Sequence, residues 1–90
     1  MKYYVLNPSR PELIEILQNN GIDFTEDNPA APRGFTEFTM DIDKDSLLAI
    51  LHNKYEEVTA IGDVKPGASI RECLKAISKC KAMCAHVVEE

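Results

Sequence analysis

The stretch "IRECLKAISKCKAMCAH", residues 70–86, carries all three cysteines of a 90-residue chain, Cys73, Cys80 and Cys84. The fold turns on whether it is a single helix. Ser69 stands just before it with Glu72 three residues on, a capping box that marks a helix start. At about 100° per residue, the three cysteines fall within about 40° of one another, with Ile70, Ile77, Val87 and Val88 close beside them. Arg71, Lys75, Ser78, Lys79, Ala82 and His86 fall on the opposite side. The spacing predicts one long helix from about Ile70 to Val88, with the thiols along the centre of its apolar stripe.

A free cysteine behaves as a small hydrophobe and is among the most buried residue types. The expected role of the three thiols is therefore packing, in a core or an oligomer interface. Cys80 and Cys84 are one turn apart, but a structural zinc site takes four ligands, and Cys73 lies about 16 Å along the axis from Cys84. No metal site and no cofactor is assigned.

Upstream of this helix runs "GDVKPGAS", Gly62–Ser69, which has the frame of a phosphate loop, G-x-x-x-x-G-x-S, between a strand and a helix. Ala68 stands where the phosphate-binding lysine belongs, and Pro66 removes a backbone donor, so nucleotide hydrolysis is not indicated. A simpler anion site remains open, in which Gly62, Lys65, Gly67, Ser69 and Arg71 hold a phosphate or carboxylate at the loop–helix junction. The predicted helix also sets Arg71, Lys75, Lys79 and His86 on one outward basic face. Such a face suits an acidic partner or, weakly, nucleic acid. No aromatic residue interleaves with these bases, so no base-stacking platform is suggested.

The remaining segments read as a β-α-β-α-β-α series. "KYYVL" (Lys2–Leu6) is strand-prone. Ser9 and Glu12 form another capping box, opening a helix of about eleven residues that ends at Gly21. Thr25–Gly34, with two prolines and a closing glycine, reads as a loop. "FTEFTMDI" (35–42) alternates, with Thr36, Phe38, Met40 and Ile42 on one side; only Phe35 breaks its polar side, so the strand is expected to have one wet face or lie at an edge. Asp41, Asp43 and Asp45 begin like a calcium loop, but Ser46 and His52 stand where glycine and a bidentate glutamate belong. Asp43 or Asp45 is instead expected to cap a second helix carrying Leu47, Leu48, Ile50, Leu51 and Tyr55. "EVTAIGDV" (57–64) reads as a third strand. The expected fold is a small two-layer α/β domain spanning residues 1–90, a three-stranded sheet with parallel crossovers and helices mainly on one face.

Fifteen acidic against ten basic residues give a net charge of −5, which disfavours nucleic acid and anionic membranes as partners. No apolar run approaches a membrane span, and an odd number of cysteines without an export signal suits a reducing cytoplasm. Two histidines and no convincing carboxylate pair leave no catalytic residue to assign. The expectation is a non-enzymatic interaction or regulatory domain that pairs with another protein or with itself. The alternative is a binder of an anionic small molecule at Gly62–Ser69.

Overall fold

The computed structural model describes residues 1–27, 31–58, 60–77 and 83–88. Among them the protein is a small mixed α/β domain with a five-stranded sheet and three α-helices. The strands are β1 (Lys2–Leu6), β2 (Phe24–Asp27), β3 (Phe35–Met40), β4 (Asp63–Val64) and β5 (Cys84–Val87). The helices are α1 (Arg10–Asn19), α2 (Lys44–Lys54) and α3 (Ile70–Ala76). The sheet order is β2-β3-β1-β5-β4. Only the β4–β5 pair is parallel; β2–β3, β3–β1 and β1–β5 are antiparallel. Both the three-stranded sheet and the parallel crossovers expected from the sequence are thus corrected.

The largest correction concerns residues 70–88. The helix stops at Ala76 after seven residues, and Ile77 is already extended (φ −66°, ψ 145°). The physical reason lies across the fold. In a continuing helix the Ala76 carbonyl would accept from the amide of residue 80; here it accepts from Gly62 N–H at 2.8 Å. Residues 84–87 form β5 instead, filling the second edge of β1 with Tyr3 opposite His86 and Val5 opposite Cys84. Strand β1 becomes central, which explains why Tyr3, Tyr4 and Val5 are all buried.

The pleat sorts side chains to two faces. Tyr3, Val5, Phe38, Met40 and Cys84 pack with Leu13, Ile16 and Leu17 of α1 and Leu47 and Leu51 of α2. On the other face Tyr4, Phe35, Val64, Ala85 and Val87 pack with Cys73 of α3. Two helices therefore cover one face and the third only part of the other. The wet face expected for 35–42 is wet only in part: β3 is interior, and Phe35 and Glu37 are buried, while Thr39 is half-buried and Asp41 exposed. Lys2 Nζ lies 3.7 Å from the Glu37 carboxylate. Part of the expected loop 25–34 is strand β2, whose exposed edge residues Thr25, Glu26 and Asp27 gave little apolar signal; Asn28, Pro29 and Ala30 lie outside the described residues. The third strand shrinks to Asp63–Val64.

The local punctuation is mostly as read. Gly21 (φ 66°) closes α1 in a Schellman motif, with Ile22 N–H donating to Leu17 O at 2.9 Å and Gly21 N–H to Gln18 O at 3.2 Å. Asp43 Oδ1 caps α2 through Ser46 N–H at 2.7 Å. The Ser9–Glu12 box does not form, because Ser9 is itself helical (φ −89°, ψ −8°), at the end of a 3₁₀ turn over Asn7–Ser9. An N-cap needs an extended backbone to bring its hydroxyl over the first turn. Glu12 accepts from the Tyr55 hydroxyl instead, tying α1 to the end of α2.

Gly62 is the position where absence of a side chain is required. A Cβ there would sit 2.5 Å from the Ala76 carbonyl oxygen and 2.9 Å from its Cβ, with backbone rather than a flexible tip in the way. Gly62→Ala is expected to lower stability by about 2 kcal/mol, a fall in Tm of about 8–16 °C for a domain of this size. Gly67 has φ 76° but open space around it, so Gly67→Ala is expected to cost only about 1 kcal/mol. Thermal unfolding of both variants by circular dichroism checks this, and the reverse order would sink the close-approach argument.

Candidate functional site

The residues singled out between Gly62 and Arg71 are built into the structure in different ways. Gly62 packs on Ala76. Lys65 follows β4 and is exposed. Gly67 makes the turn, and its N–H donates to the Tyr4 hydroxyl at 3.1 Å. Ala68 N–H donates to Lys65 O at 3.0 Å. Ser69 Oγ accepts from Glu72 N–H at 3.2 Å and donates to Glu72 Oε1 at 3.1 Å, so this capping pair does form. Several of the loop amides are thus turned onto the protein itself.

The predicted basic face is divided. Arg71 and Lys75 are exposed one turn apart on α3, and Lys79 lies outside the described residues. His86 belongs to β5 and points to the sheet face opposite α3, where its ring packs 5.4 Å from that of Tyr3. Ending the helix at Ala76 is what separates them, so that among the described residues Arg71 and Lys75 do not share a face with His86.

A groove of about 750 Å³ runs between β4 and α3. Val64, Ala76 and Val88 give it apolar walls, and Lys65 and Lys75 stand on it with Glu72. Of the predicted anion residues, it gathers Gly62 and Lys65 and adds Lys75; Gly67, Ser69 and Arg71 lie off it. Among the described residues Lys65, Arg71 and Lys75 form no ion pair, whereas Arg10 pairs with Glu26, Lys44 with Asp63 and Lys54 with Glu12. Three cations without an ion pair among the described residues therefore stand on and beside α3.

Sequence reasoning missed the cluster around Asp63. Its Oδ1 accepts from Lys44 Nζ at 2.9 Å, and His86 Nδ1 lies 3.0 Å away. These hydrogen bonds, from Lys44 first and His86 second, hold the Asp63 carboxyl below the usual aspartate range. The cluster joins the short strand β4 to β5 and to the start of α2. Twenty-three residues separate Asp63 from His86, and no local spacing signals such a pair; only the parallel register, Asp63 opposite His86, brings them together.

The two described thiols are buried on opposite faces of the sheet, Cys73 beneath α3 and Cys84 beneath α1 and α2. Burial, and then the Glu72 charge, push the Cys73 thiol up. Its thiolate is disfavoured, which accords with packing rather than reactivity. Cys80 lies outside the described residues. Burial likewise raises the Tyr3 hydroxyl, which donates to Ile42 O at 2.8 Å. Among the described residues, no helix is long and apolar enough to cross a membrane. Comparison with family models, curated proteins and solved structures gives no match.

A depressed aspartate contributes stability that is complete above its unfolded pKa and is lost as pH falls through its folded value. Asp63→Asn is therefore expected to lower stability at pH 7 by at most about 1 kcal/mol, since the cluster is partly solvated. The difference from wild type should shrink between about pH 4 and pH 2. Urea midpoints measured across this range check it; a gap that persists at pH 2 would assign the loss to packing.

Proposed function

We propose that the chain is a small non-enzymatic interaction or regulatory domain that pairs with a second copy of itself through α3. One observation carries the reading: α3 buries only Cys73, while its large apolar residues Ile70 and Leu74 are 43% and 51% exposed. A seven-residue helix is unstable alone and depends on tertiary packing. Apposing two such helices would cover the pair and give each helix a second packed side. Cys73 and Cys84 are buried and in no disulfide, which favours a reducing compartment such as the cytoplasm as its location.

A second reading, an anionic small molecule at the groove, draws support from Lys65 and Lys75, which form no ion pair among the described residues. The nucleic-acid alternative depended on a continuous basic helix face and is not carried forward.

In a two-fold contact each side chain acts twice. Leu74→Ser is therefore expected to raise the dimer dissociation constant by at least about tenfold. Size-exclusion chromatography with light scattering, at high micromolar concentration under reducing conditions, should give a dimer for wild type and a monomer for the variant. A wild-type monomer under those conditions would overturn the self-pairing.

A further inference from the structure

We propose that the groove between β4 and α3 binds an extended acidic peptide, which adds to the sheet as a new strand beside β4. This rests on the interaction-domain reading and supplies the chemistry of a partner for a separate surface of the same helix.

The backbone gives the first reason. Strand β4 ends the sheet. His86 N–H donates to Gly62 O at 2.9 Å and Val88 N–H to Val64 O at 2.8 Å. The carbonyls of 62 and 64 thus face β5. Because successive peptide groups alternate, those of Asp63 face the edge that no strand covers among the described residues. An unpaired strand edge is a template for another chain, and main-chain hydrogen bonding of this kind is a recurring mode of peptide recognition.

The second reason is the wall beside that edge. On α3, Glu72, Lys75 and Ala76 lie within about 100° of arc, and Ile70 and Leu74 lie on the opposite flank, with Cys73 facing the sheet between them. The groove is therefore distinct from the exposed apolar pair. Side chains of an added strand alternate, so every second one would fall on Val64, Ala76 and Val88. The volume of about 750 Å³ lies within the range of ligand-binding clefts.

Charge selects the sign. On the groove, Lys65 and Lys75 form no ion pair among the described residues, Asp63 is paired with Lys44 and His86 on the far face, and Glu72 keeps its charge but accepts from the Ser69 hydroxyl. In a chain of net charge −5 the two lysines place positive charge beside this edge, offset in part by Glu72. Carboxylates on the peptide would meet the lysines while its apolar side chains meet the valines. A small anion would use the lysines but leave the strand edge and apolar wall idle, so the peptide accounts for more of the site.

The test titrates four probes into ¹⁵N-labelled full-length protein and follows its amide resonances. The probes are a blocked hexapeptide of alternating Glu and Val, its Lys-Val counterpart, the Glu-Val peptide N-methylated at alternate residues, and inorganic phosphate. The Glu-Val peptide should shift Asp63, Lys65, Ala76 and Val88 saturably, and the N-methylated form should bind at least about tenfold more weakly for want of main-chain donors. The double variant Lys65→Glu with Lys75→Glu, confirmed folded by its dispersed spectrum, should prefer the Lys-Val peptide by about tenfold. Equal binding of the N-methylated peptide, an equal response to phosphate alone, shifts centred on β2, or no response to the Glu-Val peptide would each overturn the inference. Light scattering reads the Ile70–Leu74 flank independently. A dimer that ignores the peptide overturns this inference alone; a monomer that binds it overturns the self-pairing alone.

Discussion

The contact between Gly62 and Ala76 is the constraint on which the rest of this fold depends. One hydrogen bond, from the Gly62 amide to the Ala76 carbonyl, occupies the acceptor that another turn of α3 would need. It forms only because residue 62 has no Cβ to strike that carbonyl. The consequences propagate outward. A short α3 leaves residues 84–87 available as β5, β5 supplies the second neighbour of β1, and β1 becomes a strand buried on both faces. Without β5, Tyr3, Tyr4 and Val5 would lie on an edge strand. A single glycine fixed in extended backbone beside a strand costs about 0.5–1 kcal/mol in chain entropy, small beside the burial of three side chains at about 1.5–3 kcal/mol each.

Strand β4 is only two residues long and could not hold its place by ladder hydrogen bonds alone. Its position is secured from three directions. Gly62 anchors it to the end of α3, the amides of His86 and Val88 anchor it to β5, and the Asp63 carboxylate reaches Lys44 at the start of α2. Exposed ion pairs contribute little singly. Here the electrostatic tie adds to the backbone hydrogen bonds that define the register of a short edge strand. The result is an edge held from several sides, one side of whose backbone is paired with no strand among the described residues.

Parts of this architecture were legible in the sequence for local reasons. Gly21, Asp43 and Ser69 act where their chemistry places them, since a left-handed C′ residue and a side-chain cap depend on neighbours a few residues away. The alternation of 35–42 gave a real strand, and burial of Cys73 and Cys84 was readable from the apolar character of the thiol. Residues 70–88 were misread because helical and extended patterns both put Cys84 on an apolar side. The deciding contact, Gly62 with Ala76, spans fourteen positions and leaves no periodic trace. Glu37 misled in the other direction: an acid at an interior position reads as surface until Lys2, thirty-five residues earlier, is seen beside it. Lys65 was legible as a site residue, but its grouping with Lys75 depends on where β4 is pinned.

The two edges of the sheet are treated differently, and the difference bears on function. The β2 edge carries Glu26 and Asp27 in the open; Arg10 ties back Glu26, and the Thr39 hydroxyl donates to Asp27. Charged side chains along an exposed edge repel an incoming strand, a common protection against edge-to-edge association. The β4 edge lacks that protection on its groove side. Its one acidic side chain, Asp63, is turned to the other face and occupied, while Lys65 and Lys75 stand nearby with Glu72. A protein of net negative charge thus closes one edge to its own acidic surface and leaves the other edge electrostatically open to it. That asymmetry separates the two edges by charge: carboxylates line the β2 edge, whereas lysines stand beside the β4 edge.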